Sequence, residues 1–280
     1  MYSKKKILEN IISTPYYYKK LPKKFKNDIE LAFKTIKRNG LVLKYTNKKF
    51  KNNFFIVNEA VKQNGLALQF ASHDLKKNKH IVSNAVKQYG FAIKFASKKL
   101  RDDKKIINVA LKHSGYILKY LNNNKKKDKK IVYKAVKKNE YALVYADKNL
   151  KKNRQFITKL FKLPMSGGAY NYIDKKLKNN EKIAMLAAKT FGSSLKFFKK
   201  DFKKNKKICL NAVNQYGLSL KFVHKDLKNE KKIVLKAIKN NPFALKFASQ
   251  SLRKNELFIQ KVVKFNGLSI LYADEKLKNN

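Results

Sequence analysis

Residues 79–103 read KHIVSNAVKQYGFAIKFASKKLRDD. In the first half, Ile81, Val82, Ala85 and Val86 are spaced i, i+1, i+4, i+5, which is one face of a helix. Gly90 follows and reads as the left-handed cap that ends this helix, a conformation only glycine adopts without strain. Phe91, Ala92, Ile93, Phe95, Ala96 and Leu100 then form a second apolar cluster, read as a second helix. Ser97 is an N-cap residue type, so a separate final turn can begin there.

The stretch is one copy of a repeat. Gly40, Gly65, Gly90 and Gly115 lie 25 residues apart, Glu140 takes the next position, and the series continues through Gly192, Gly217, Pro242 and Gly267. The unit at 154–180 has two extra residues, with Gly167 as its glycine. Full units are 29–53, 54–78, 79–103, 104–128, 129–153, 154–180, 181–205, 206–230, 231–255 and 256–280. A degenerate copy at 4–28 puts Pro15 in the glycine slot, which makes eleven units. The chain reads as one domain over 1–280, without a linker or a low-complexity tail.

Other slots follow the period. Ala60, Ala85, Ala110, Ala135, Ala187, Ala212 and Ala237 share one and imply close helix approach. Ser72, Ser97, Asp147, Asp174, Ser249 and Asp274 share another. The last slot holds Asp28, Asn53, Asn78, Asp103, Asp128, Asn153, Asn180, Asn205 and Asn255, N-cap types placed just before the next first helix. A brick of 25 residues cannot bury its apolar face alone, but it can when stacked on its neighbours. The expected fold is therefore an all-α solenoid of helix pairs, right-handed by analogy with other helical solenoids.

The motifs AVKQNGLALQFASHDLKKN (60–78), AVKQYGFAIKFASKKLRDD (85–103) and AVNQYGLSLKFVHKDLKNE (212–230) resemble the repeats of the domain of unknown function family numbered 4116. The resemblance covers most of 29–280 and is weakest at 104–128 and 154–180. It implies that one family domain of about fifty residues spans two of these units, and it assigns no activity or site residues. Family members occur in protists, bacteria and large DNA viruses. They commonly carry acids near the end of the unit, where this chain has mostly lysine.

Composition sets the functional expectation. The chain carries 68 Lys plus Arg against 18 Asp plus Glu, a net charge of +50. All the cations but Arg38, Arg101, Arg154 and Arg253 are lysine. An A/T-rich genome would favour lysine codons, but it accounts less well for the scarcity of acids. The cations follow the repeat, densest at unit junctions such as Lys98, Lys99, Arg101, Lys104 and Lys105, or Lys200, Lys203, Lys204, Lys206 and Lys207. Two further slots are nearly always lysine. One lies late in the first helix: Lys37, Lys62, Lys87, Lys112, Lys137, Lys189, Lys239 and Lys264. The other lies in the second helix: Lys44, Lys94, Lys119, Lys196, Lys221 and Lys246. Stacking draws each slot into a line, and a polyanion would relieve the self-repulsion and release its counterions.

The expected partner is therefore nucleic acid, RNA or DNA, bound without sequence readout, because four arginines are few for reading guanine. The alternative is a protein-interaction scaffold or structural subunit, docking on the concave face or at the end around Leu271 and Leu277, with lysine richness reflecting codon usage. Phe70, Phe95, Tyr120, Tyr145, Phe197, Phe222, Phe247 and Tyr272 share a slot read as core. Gln63, Gln88, His113, Lys138, Thr190, Gln215 and Asn240 form a polar slot two residues before the glycine, read as helix-surface variability with a base-reading code as its alternative.

Catalytic signatures are missing from the sequence. His73, His80, His113 and His224 occupy four unrelated slots, and no zinc, P-loop or dinucleotide motif occurs. Asp102, Asp103, Asp147, Asp174, Asp201 and Asp274 fall at caps or junctions, not as converging pairs. Cys209 reads as a buried, inert thiol. Ser166-Gly167-Gly168, beside Pro164, reads as a bent or hinged unit, with a phosphate-binding nest as the alternative. The expectation is a non-enzymatic binding module without cofactor or metal. No apolar run reaches the roughly 18 residues of a membrane span, and no signal peptide opens the chain, which points to the cytoplasm or nucleus, or to a virion or host cell.

Overall fold

The computed structural model describes residues 4–278. Contacts divide the chain into two compact units, one ending at Lys138 and the other starting at Asn139. Within each, the regular copies of the repeat build the same all-α brick, and neighbouring bricks stack as a repeat solenoid.

The brick has three parts, two helices and a separate final turn. In residues 54–78 the ten-residue α-helix Phe54–Gln63 comes first, the six-residue 3-10 helix Gly65–Phe70 follows, and a short turn at Leu75–Lys77 closes the unit. The second element is therefore a 3-10 helix and not an α-helix. Its bonds run i→i+3, with three residues to the turn. Runs of this length need outside support. Here the side chains of Asn39, Asn64, Ser114, Asn139, Asn241 and Asn266 accept the second amide of the 3-10 helix that follows each of them.

The first helices start as the sequence predicts. Each of the nine cap residues from Asp28 to Asn255 accepts a backbone amide two or three residues on, as Asn78 does from Ile81 at 3.1 Å. Ser72, Ser97, Asp147, Asp174 and Ser249 likewise cap the short third turn. Their amides also stitch bricks together: Ser97 N–H donates to the Lys76 carbonyl at 3.0 Å in the first unit, and Ser249 N–H to the Lys228 carbonyl at 2.9 Å in the second.

The apolar face falls where the spacing puts it, with Ile81, Val82, Ala85 and Val86 all fully buried. The glycine slot works differently from the expectation. No described glycine has positive φ, and the first helix ends on an extended residue such as Asn64, φ −148°. Glycine is needed for close approach. A Cβ on Gly40 would overlap the carbonyl of Ala60 in the next brick, and one on Gly90 would lie 2.7 Å from the Cβ of His113 and 2.9 Å from the Ala110 carbonyl oxygen.

This contact explains the exceptions. Glycine at one position is answered by alanine twenty residues on: Gly40 and Ala60, Gly65 and Ala85, Gly192 and Ala212, Gly217 and Ala237. Where the slot holds Pro15, Glu140 or Pro242, that facing position holds Thr35, Leu160 or Val262.

The copy at 154–180 is distorted. Its first helix, Arg154–Leu160, is only seven residues long, and the chain turns through Pro164 and Met165, whose φ of 58° is the one positive value among described non-glycine residues. Ser166, Gly167 and Gly168 are buried, and the Glu140 side chain lies against Gly168. Among the described residues, no helix is long and apolar enough to cross a membrane.

Candidate functional site

All fourteen lysines of the two predicted rows are exposed. Of these fourteen, only Lys62 has a carboxylate of the described residues in ion-pair range, Glu59 at 3.2 Å. The rows ride on different helices. The late-helix row lies on the α-helices. In the first unit, Lys112 and Lys137 from successive bricks line one groove of about 440 Å³ together with Lys134, Lys138, Asn108 and Leu111. No residue of the second-helix row lines that groove.

The second-helix row lies on the 3-10 helices, and Lys44, Lys94, Lys119, Lys196 and Lys246 each have an aromatic neighbour. Lys94 sits 4.6 Å from the centre of the Phe95 ring, Lys44 5.7 Å from Tyr45, and Lys119 5.8 Å from Tyr120. In the second unit Lys196 sits over Phe197 at 4.6 Å, and Lys246 over Phe247 at 5.0 Å and over Tyr272 at 5.8 Å. Lys19 belongs to this row as well, 5.7 Å from the Tyr45 ring, and the repeat register of the degenerate copy at 4–28 is the signal that finds it.

The aromatic slot is not core. Phe70, Phe95, Tyr120, Tyr145, Phe197, Phe222, Phe247 and Tyr272 are all half-buried. The residues after the glycine join them: Tyr16, Tyr116 and Phe243 are 48%, 36% and 39% exposed. Rings from adjacent bricks meet edge to face, Tyr16 with Tyr45 at 6.3 Å and Phe91 with Tyr120 at 6.2 Å in the first unit, Tyr141 with Tyr172 at 6.0 Å and Phe243 with Tyr272 at 5.8 Å in the second.

In the polar slot before the glycine, Gln63, Gln88, Gln215 and Asn240 bond to the preceding brick. The Gln63 carboxamide oxygen accepts the Gly40 N–H of the preceding brick at 2.6 Å, while its amide donates to the Arg38 carbonyl at 3.1 Å. Gln88 and Asn240 accept from Gly65 and Gly217 at the same 2.6 Å, and Gln215 serves Gly192. In these four cases the side chain satisfies an amide that the close approach would otherwise strand.

One junction slot is also structural. Lys26, Lys151, Lys178 and Lys203 each donate to the carbonyl seven residues back, at 2.7–3.1 Å, closing the end of a 3-10 helix. Burial holds Lys51, Lys76, Lys151, Lys178 and Lys228 below the usual lysine range. The acids are similarly occupied. Asp28, Asp103, Asp128, Asp147 and Asp174 cap helices, and the bond from Lys79 at 2.7 Å, together with two backbone amides, holds Asp103 below the ordinary carboxylate range against the effect of burial.

Cys209 is buried, its thiol is pushed up to about 12 by that burial, and it donates to the Lys203 carbonyl at 3.2 Å. Of the residues named for a protein contact, Leu271 is 55% exposed and Leu277 half-buried.

A family model described as a domain of unknown function, DUF4116, matches residues 4–51, 28–76, 53–101, 78–124, 128–166, 163–203 and 205–253. Most of these stretches span two bricks, and the first begins with the degenerate copy. No curated protein matches the chain.

Proposed function

The chain belongs to the DUF4116 family, and from its surface we propose that it is a non-enzymatic helical-repeat protein that binds nucleic acid by charge, with little regard to sequence. The observation that carries the reading is the separation of roles among its ions. Cap positions and one junction lysine slot serve the fold, while the fourteen lysines of the two rows stay exposed, and only Lys62 among them is paired to a carboxylate. Rows of unopposed ammonium groups displace the counterions of a phosphate backbone, which makes affinity fall steeply with salt. Arginine forks, the best readers of guanine, are nearly absent. Filter binding of unrelated RNA and DNA sequences at low and moderate salt tests this. Binding of all of them at low salt, lost together as salt rises, is the expected result. Failure to retain any of them at low salt defeats it.

A second reading rests on a different observation. Leu257, Leu268 and Leu271 are 79%, 54% and 55% exposed at the last brick, a surface that suits an apolar protein partner. A complex that survives nuclease treatment and high salt would favour this scaffold role.

A further inference from the structure

We infer that the row of lysines and half-buried rings along the 3-10 helices is a platform for single-stranded nucleic acid, on which unstacked bases lie against the rings while the adjacent ammonium groups hold the phosphates. This deepens the proposed function and rests on it.

Two observations and a spacing argument carry the inference. The first is chemical pairing. In the first unit Lys19, Lys44, Lys94 and Lys119 each lie 4.6–5.8 Å from a ring centre, so a phosphate ligand and a stacking surface recur side by side. Single-strand binders use this combination, because every base offers a π-face whatever its identity. The second is rigidity. The edge-to-face contacts of Tyr16 with Tyr45 and Phe91 with Tyr120 fix rings across bricks, so little ordering remains for binding to impose.

Successive bricks repeat each ring at about one helix-packing distance, roughly 8–10 Å. Bases inside a duplex stay stacked about 3.4 Å apart along each strand. A duplex can therefore reach the lysines but cannot offer its bases to successive rings, whereas a splayed single strand can do both. An ammonium over such a partly solvated ring contributes less than a stacked base does. A strand whose phosphate draws the lysine aside and whose base takes the ring face is thus favoured.

The test uses the full chain and competes an oligothymidylate against a duplex of the same length at low salt. The inference expects the single strand to bind more tightly. The triple variant Tyr45→Leu, Phe95→Leu, Tyr120→Leu keeps apolar bulk and removes the rings. It should weaken the oligothymidylate by about tenfold or more and the duplex by less than about twofold. The ring-preserving set Tyr45→Phe, Phe95→Tyr, Tyr120→Phe should retain single-strand affinity. Should the leucine variant fail to fold, photocrosslinking of a bromodeoxyuridine strand to the unaltered protein decides the matter: crosslinks on these rings support the platform, and crosslinks confined to the α-helix row overturn it. Equal affinity for both polymers, or equal losses on both, sinks this inference and leaves charge-driven binding standing. Binding of neither polymer removes both.

Discussion

Gly65 packs against the main-chain carbonyl of Ala85, so closely that a single methyl group on the glycine would overlap the oxygen. That contact sets how near two bricks come, and most of the other inter-brick features follow from it. The alanine keeps the facing helix slim, and the Gly65 amide, turned toward the next brick, finds the Gln88 side chain at 2.6 Å.

Gly65→Ala should therefore destabilise the protein by about 1–3 kcal/mol through overpacking. Gly267, which has nothing within 4 Å of an added Cβ, supplies the control. Gly267→Ala should leave stability unchanged or raise it by up to about 1 kcal/mol, since the backbone does not need glycine's freedom there. Thermal or urea melts of the two variants measure the difference.

Removing the amide's acceptor tests the same junction from the other side. Gln88→Leu strands the Gly65 N–H and should cost about 1–3 kcal/mol. Gln88→Asn should recover much of that loss, because Asn240 makes the same bond to Gly217 at 2.6 Å. Affinity for different RNA sequences should keep the same ranking in both, since the Gln88 carboxamide is engaged by the neighbouring brick.

The two classes of lysine should separate cleanly. Lys203→Met removes the bond to the Lys196 carbonyl at 3.1 Å, so it should lower the melting midpoint and change polyanion affinity little. Lys94→Gln removes an exposed ammonium and should do the reverse, leaving the melt alone while weakening binding. Paired melts and binding isotherms on the two variants check both halves.

Cys209 should resist a disulfide reagent in the native protein at mildly alkaline pH, because burial pushes its thiol up to about 12 and little thiolate forms. Denaturant should expose one reactive thiol per chain. Rapid labelling before unfolding would contradict the packed position beside the Lys203 carbonyl.

Much of the architecture was legible in the sequence because caps are a local matter. Asn78 or Asp103 accepts an amide two or three residues away, so residue type and spacing suffice. The glycine was misread because a missing Cβ serves either a left-handed backbone or a close approach, and position within one unit does not distinguish them. The matched exceptions did contain the answer: Pro15, Glu140 and Pro242 are faced by Thr35, Leu160 and Val262 instead of alanine. The aromatic row was misplaced for a related reason. An apolar residue at repeat spacing looks like core if its helix is taken as α. In the 3-10 segment Gly90–Phe95, Ala92 and Ile93 turn inward, while Phe91, Lys94 and Phe95 are left at the surface. The exposure of the candidate lysines was legible, since both rows are periodic and charged, but the structural duty of Lys151 and Lys203 depends on a carbonyl that only the folded 3-10 helix presents.

The most direct test of charge-driven binding is the slope of log affinity against log salt for a single-stranded polymer. Measured for the unaltered protein and for Lys44→Gln, Lys94→Gln and Lys119→Gln combined, it counts the phosphates these lysines neutralise. The account predicts a steep negative slope that becomes shallower by about 0.7 for each lysine removed, the value expected for single strands. A slope near zero, or one unaffected by the three substitutions, would contradict it.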